Sequence, residues 1–146
     1  MKYIIVPPPV AVTTIDGNAF IVVSGPNGAQ RIELEKASPF EDFVINRLVD
    51  AKFTTGMAGI LSALKVREAV YEAKKTGILA LEDADYAILK SAVESPSPLP
   101  NGQGAYQTGL AHNLAPFMRA IVEGSTDKKP DVVAPVPAEA TTPNAN

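Results

Sequence analysis

Apolar positions divide this chain into two regimes. Up to about residue 36 they come in short β-branched runs; beyond it they recur every three to four residues. The run KYIIV (2–6) predicts a strand. Pro7, Pro8 and Pro9 follow, which remove ladder donors and force an extended link. VAVTTI (10–15) and AFIVVS (19–24) flank Asp16-Gly17-Asn18, and Asp-Gly between two β-rich runs predicts a hairpin. Gly25-Pro26-Asn27-Gly28 predicts a second turn. After it, QRIELE (30–35) alternates, with Ile32 and Leu34 on one face and Arg31, Glu33 and Glu35 on the other, the pattern of a half-buried strand. Residues 1–36 therefore read as a small antiparallel meander, to which the first strand can be added.

The period then changes to that of helices. Ser38-Pro39-Phe40-Glu41 predicts a helix start, with Ser38 as cap, Pro39 at the first position and Glu41 closing a capping box. Phe40, Phe43, Val44 and Leu48 form its apolar stripe, widened by Val49 and Ala51. Asn46, Arg47, Asp50 and Lys52 fall on the other face, and the helix fades at Phe53 before Thr54-Thr55-Gly56. A second helix is predicted from Met57 to Lys75, with Ile60, Leu61, Leu64 and Tyr71 as its core face and Val70 beside it. Glu68 and Glu72 interleave with Lys65, Lys74 and Lys75 as on a wet surface, and Gly77 is placed as the C-terminal cap. ILALE (78–82) reads as a short extended link. Glu82, Asp83 and Asp85 open a third helix that turns Tyr86, Leu89 and Val93 inward, with Lys90 near its end.

Ser95-Pro96-Ser97-Pro98-Leu99-Pro100-Asn101-Gly102 breaks the helical pattern. A fourth helical stripe runs through Tyr106, Leu110, Leu114, Phe117 and Ile121, with Pro116 inside it. Proline in a helix interior costs roughly 3 kcal/mol, so this stretch is expected to kink or to split into two short helices, Asn113 capping the second. Gly124 ends it. Residues 125–146 carry four prolines and no aromatic side chain, a composition that cannot bury enough apolar surface to offset its ordering entropy. The expected fold is α+β: one domain over 1–124, β-rich over 1–36 and a bundle of about four helices over 37–124, then a flexible or extended tail over 125–146.

Composition narrows function mainly by exclusion. With 146 residues, a net charge of −3 and 20% charged residues, the chain has the size of one domain and no strong attraction for nucleic acid or anionic lipid. It has no cysteine, which removes disulfides, thiolate metal sites and cysteine nucleophiles. The apolar run before Pro7 is shorter than the roughly 7 residues a signal peptide needs, and no window approaches the roughly 18 of a membrane span, so a soluble protein is expected.

Motifs that carry chemistry are few. His112 is the only histidine and has no identifiable orienting acid, so a surface or structural role is expected, one imidazole being too little for a metal site. Glu82, Asp83 and Asp85 lack calcium-loop spacing and fit a helix N-terminus instead. SGPNGAQR (24–31) lacks the Gly-Lys-Ser/Thr ending of a phosphate loop and is followed by a strand. There is no nucleophile elbow, no His-Glu-x-x-His and no dinucleotide fingerprint. No catalytic residue, cofactor or metal is proposed by this sequence.

The stretches SPFEDFVINRLVDAKF (38–53) and LALEDADYAILKSAVES (79–95) resemble small bacteriophage-encoded proteins, which pair a β-rich start with helices bearing an acidic LExxDxxxLKxAV segment. The resemblance covers about residues 36–123. It implies a viral setting, in a host cytoplasm or a virion, and an assembly or partner-binding role; no site residue carries over. The expected function is thus a non-enzymatic protein-binding or assembly protein. Its partner is itself or another protein, met through a sheet edge or through Tyr106, Leu110 and Leu114. The alternative is a nucleic-acid-binding regulator with a helix-turn-helix-like pair over 39–75, using Lys65, Arg67, Lys74 and Lys75.

Overall fold

Three consecutive prolines end the first strand at Ile5, and what that strand pairs with organises the fold. The computed structural model describes residues 1–98, 106 and 110–131. Strand β1 (Lys2–Ile5) does not join the neighbouring β-rich segments; it pairs antiparallel with β4 (Ile78–Leu81), in the register Ile4 opposite Leu79. The segment expected to be a mere link is therefore a core strand. Ile4 and Leu79 are both fully buried, whereas Ile5 and Ala80 point outward. The other edge of β1 takes Thr126, whose backbone exchanges two 2.9 Å hydrogen bonds with Tyr3. The expected tail thus begins as part of the domain. Asp127 accepts a 2.6 Å bond from Lys2 Nζ, and this bond raises the pKa of the ammonium. Residues 132–146 lie outside the described residues, as do Leu99 to Gly102 of the proline-rich break.

The β-ribbon is a separate unit. β2 (Phe20–Gly25) and β3 (Gly28–Glu33) pair antiparallel from Phe20–Glu33 to Gly25–Gly28. The working hairpin turn is Gly25-Pro26-Asn27-Gly28, in which Gly28 takes φ 94°, the left-handed position that follows a type I turn. The Asp16-Gly17 turn also forms, closed by Thr14 N–H to Asn18 O at 2.8 Å, but it does not join two strands. Residues 10–12 instead make isolated contacts with the far arm: Val12 N–H donates to Glu35 O, and Val10 exchanges two backbone bonds with Ser38. Every residue of β3 is exposed, so the alternation in QRIELE marks no buried face.

Among the described residues, five helices cover the remaining core. α1 (Phe40–Leu48) and the single turn α2 (Ala51–Thr54) replace the one helix expected over 39–53. Pro39, in extended conformation, stands at the cap and has no polar side-chain atom to bond the helix; Ser38, the expected cap, lies one residue earlier with its backbone tied to Val10. Asp50 interrupts the helix and caps α2, accepting from Lys52 N–H at 2.9 Å. Two residues assigned to the wet face are in fact buried: Asp50 completely and Arg47 nearly so. Phe40, Phe43 and Val44 are core as expected, while Val49 is exposed. α3 (Gly56–Thr76) ends at Gly77, whose φ of 78° and N–H bond to Ala73 O make the predicted cap. α4 (Asp83–Glu94) turns Tyr86, Leu89 and Val93 inward as read from the sequence.

The last helical stretch splits. A 3₁₀ turn (Ala111–Leu114) leads into α5 (Ala115–Val122), with Pro116 in the first turn, where its missing N–H costs nothing. Asn113 does not cap α5; its amide donates to Thr13 O at 2.7 Å and Leu110 O at 3.0 Å. Phe117 packs edge-on against Phe40, with ring centroids 5.4 Å apart. Tyr86, nearly buried, donates to Ile121 O at 2.7 Å and accepts from Ser125 Oγ at 2.9 Å, locking α4, α5 and the following chain. Tyr86→Phe leaves that carbonyl unmet and is expected to cost about 1–2 kcal/mol in urea unfolding. Ser125→Ala, at a half-buried position, is expected to cost less.

Candidate interaction surfaces

The residues singled out for partner binding do not form one exposed stripe. Tyr106 precedes the helical segment, its ring stacked on Phe43 (6.3 Å, interplanar 3°) and under the Arg47 guanidinium (4.6 Å). Its hydroxyl donates to Val93 O at 2.8 Å, and burial pushes its pKa above the ordinary 10.0, so it stays a donor at neutral pH. Leu110 and Leu114 are half-buried, and Leu114 packs on the core. These three side chains mainly close the domain. An open groove of about 340 Å³ runs beside Tyr106, lined also by Val93, Glu94, Met118, Arg119, Val122 and Glu123.

The basic residues of the helix-turn-helix alternative are spread around α3. Lys65 pairs with Glu82 at 3.8 Å and Lys74 with Glu41 at 3.3 Å, so two of the four cations are already countered by carboxylates. Arg67 and Lys74 are exposed on the opposite side of the helix from Lys65, with Lys75 between them. A phosphate-binding face would bring such charges together. The acidic cluster also disperses. Asp83 accepts from the α-ammonium of Met1 at 2.6 Å, which holds its carboxyl below the usual range, while Asp85 accepts from Ser62 Oγ at 2.7 Å. Among the described residues no group of three His, Asp or Glu side chains is placed to hold a metal ion, and no helix is long and apolar enough to cross a membrane. His112 lies exposed in the 3₁₀ turn.

What the sequence reading placed in the core is the most conspicuous surface of the domain. α3 is apolar on two opposite sides. Gly59, Val66, Val70 and Ala73 are buried, with Ala63 and Ala69 packed behind them. The large side chains face out: Met57 is 77% exposed, Ile60 53%, Leu61 50%, Leu64 39% and Tyr71 49%. The inversion has a steric cause. A Cβ on Gly59 would sit 2.6 Å from the Phe53 carbonyl oxygen, so α2 and α3 approach too closely for anything larger. Small residues let the helix lie close to the core, and the bulky ones are left for the outside. The signal was present in the sequence as a second, small-residue stripe opposite the first; hydrophobic period alone ranks the larger residues as core.

The β-ribbon offers a second apolar surface. Ile21, Val23 and Ile32 share one face, with Val23 and Ile32 both 43% exposed. On the other face Arg31 lies over the Phe20 ring at 3.9 Å and bonds Glu33 at 2.7 Å. In a two-stranded sheet both outer edges present unpaired backbone groups, the template for strand addition. The chain matches no family model, no curated protein and no solved structure.

Proposed function

We propose that this chain is a non-enzymatic binding or assembly protein that works through the outer face of α3, with the β2–β3 ribbon as a second contact. One observation carries the reading: five large apolar side chains stand along the solvent side of α3 while that helix turns only glycine, alanine and valine toward the core. Together they expose roughly 500 Å², at the upper end of what monomeric proteins leave bare, and such patches mark interaction sites. A viral assembly setting belongs to the proposal through the sequence resemblance alone.

Photo-crosslinking tests it. A crosslinking residue at Leu61, used in a lysate of the source, is expected to give discrete adducts. The same residue at Ala87, exposed on α4, is expected to give few. Equal labelling at the two positions, or none at Leu61, sinks the reading. Nucleic acid in the Leu61 adducts, with retention that falls steeply with salt, would favour the regulator instead.

A further inference from the structure

We infer that the partner of α3's outer face is a second copy of this chain, docked parallel about a two-fold axis that runs along the two helices. The inference rests on the binding role proposed above and names its occupant. Met57, Leu64 and Tyr71 are seven residues apart and fall nearly on one line of the helix. On one side of that line run Ile60, Arg67 and Lys74; on the other run Leu61, Glu68 and Lys75, at the same heights to within one residue.

That layout is self-complementary for one orientation. In a parallel two-fold pair each residue of the central line meets its own copy: Met57 on Met57, Leu64 on Leu64, Tyr71 on Tyr71. One flank of each copy then meets the opposite flank of the other. Ile60 packs on Leu61, apolar on apolar. One layer along, Arg67 faces Glu68 on both sides of the axis, giving two reciprocal ion pairs, each residue being exposed in the single chain. An antiparallel pair would lay Ile60 on Arg67 and Leu61 on Glu68, covering charges without countercharges. The parallel pair has one like-charge layer, Lys74 beside Lys75, at the C-terminal end, where the helix dipole favours cations. Two copies bring together roughly 1,000 Å², the threshold for a specific interface.

The chain contains no cysteine, which makes the geometry directly testable. In light scattering over a concentration series, the full chain is expected to reach twice its mass of 15.4 kDa. Leu64→Glu places two carboxylates on the axis and is expected to raise the half-dissociation concentration about 100-fold with the helical circular dichroism unchanged. Met57→Cys and Leu64→Cys are each expected to form disulfide dimers on mild oxidation. Arg67→Glu is expected to weaken the dimer about tenfold, and Arg67→Glu with Glu68→Arg to restore it. Neighbouring residues on one helix do not face each other, so the rescue reads the contact between copies.

A dimer that crosslinks through Leu64→Cys but not Met57→Cys is antiparallel and overturns the inference. So does a dimer indifferent to Leu64→Glu. A chain monomeric at every concentration overturns it too, and if Leu61 still crosslinks in lysate the binding role stands with another protein as partner.

Discussion

Gly59→Ala is expected to destabilise the protein by about 2 kcal/mol, although alanine is the better helix former by about 1 kcal/mol. The opposing sign is the point of the test. Residue 59 lies in the first turns of a long helix, and its φ is ordinary, so backbone freedom does not call for glycine there. Space does. The added methyl would stand 2.6 Å from the Phe53 oxygen and 3.1 Å from its carbonyl carbon, both backbone atoms, which cannot swing aside as a side chain can. The α2–α3 junction must open by several tenths of an ångström. Phe53 is completely buried, so that movement loosens a large core side chain as well. Urea unfolding measures the loss. A neutral or stabilising Gly59→Ala would mean that the junction yields easily and that close approach does not decide which side of α3 faces inward.

This geometry joins fold to function. A helix with small residues inside can sit near its neighbours, and its bulky residues then become available to a partner. Had Met57, Ile60, Leu61, Leu64 and Tyr71 packed inward, α3 would stand farther from α1 and the groups on its outer side would be Gly, Ala and Val, a poor grip for another chain. The same sequence property therefore sets the depth of the core and the character of the surface.

How much of this was legible depends on range. Local signals read well: Gly77 ends α3, Tyr86, Leu89 and Val93 line α4, and Pro116 marks where the last helical stretch divides. The α+β class followed from the change of period near residue 36. Pairing at a distance did not read. Nothing in KYII or ILAL names the other as partner across more than seventy residues, and each is too short for its alternation to be distinctive. Side-chain charge also misled where a group's partner is remote in sequence. Arg47 looked like a surface residue because its guanidinium belongs in water, yet it is buried against the Tyr106 and Phe43 rings. The candidate surface was legible as a set of residues and was assigned to the wrong side. Period distinguishes two faces of a helix without saying which is inside when both are apolar.

The largest effect is expected at Asp50, where Asp50→Ala should cost about 3 kcal/mol. Its carboxylate is completely buried and divides its two oxygens between different parts of the chain. Oδ1 accepts from Lys52 N–H at 2.9 Å and starts α2; Oδ2 accepts from Ser97 N–H at 2.7 Å and ties the segment after α4 to the α1–α2 junction. Lys52 adds to the same clasp, donating to Ser97 Oγ at 3.2 Å and to the Ser95 carbonyl. Removing the carboxylate leaves two partly buried amides without acceptors and opens a polar void between them. Asp50→Asn keeps one acceptor oxygen, and its NH₂ cannot accept from the second amide, so about half the loss is expected. The Lys52 side chain lies at the surface of the clasp, and its truncation should cost less than 1 kcal/mol. Hydrogen exchange separates this account from a general loss of stability: in Asp50→Ala the Lys52 and Ser97 amides should exchange faster well beyond the change seen at Val66 or Leu89. If all four accelerate alike, Asp50 contributes only to global stability and the two segments are held together by something else.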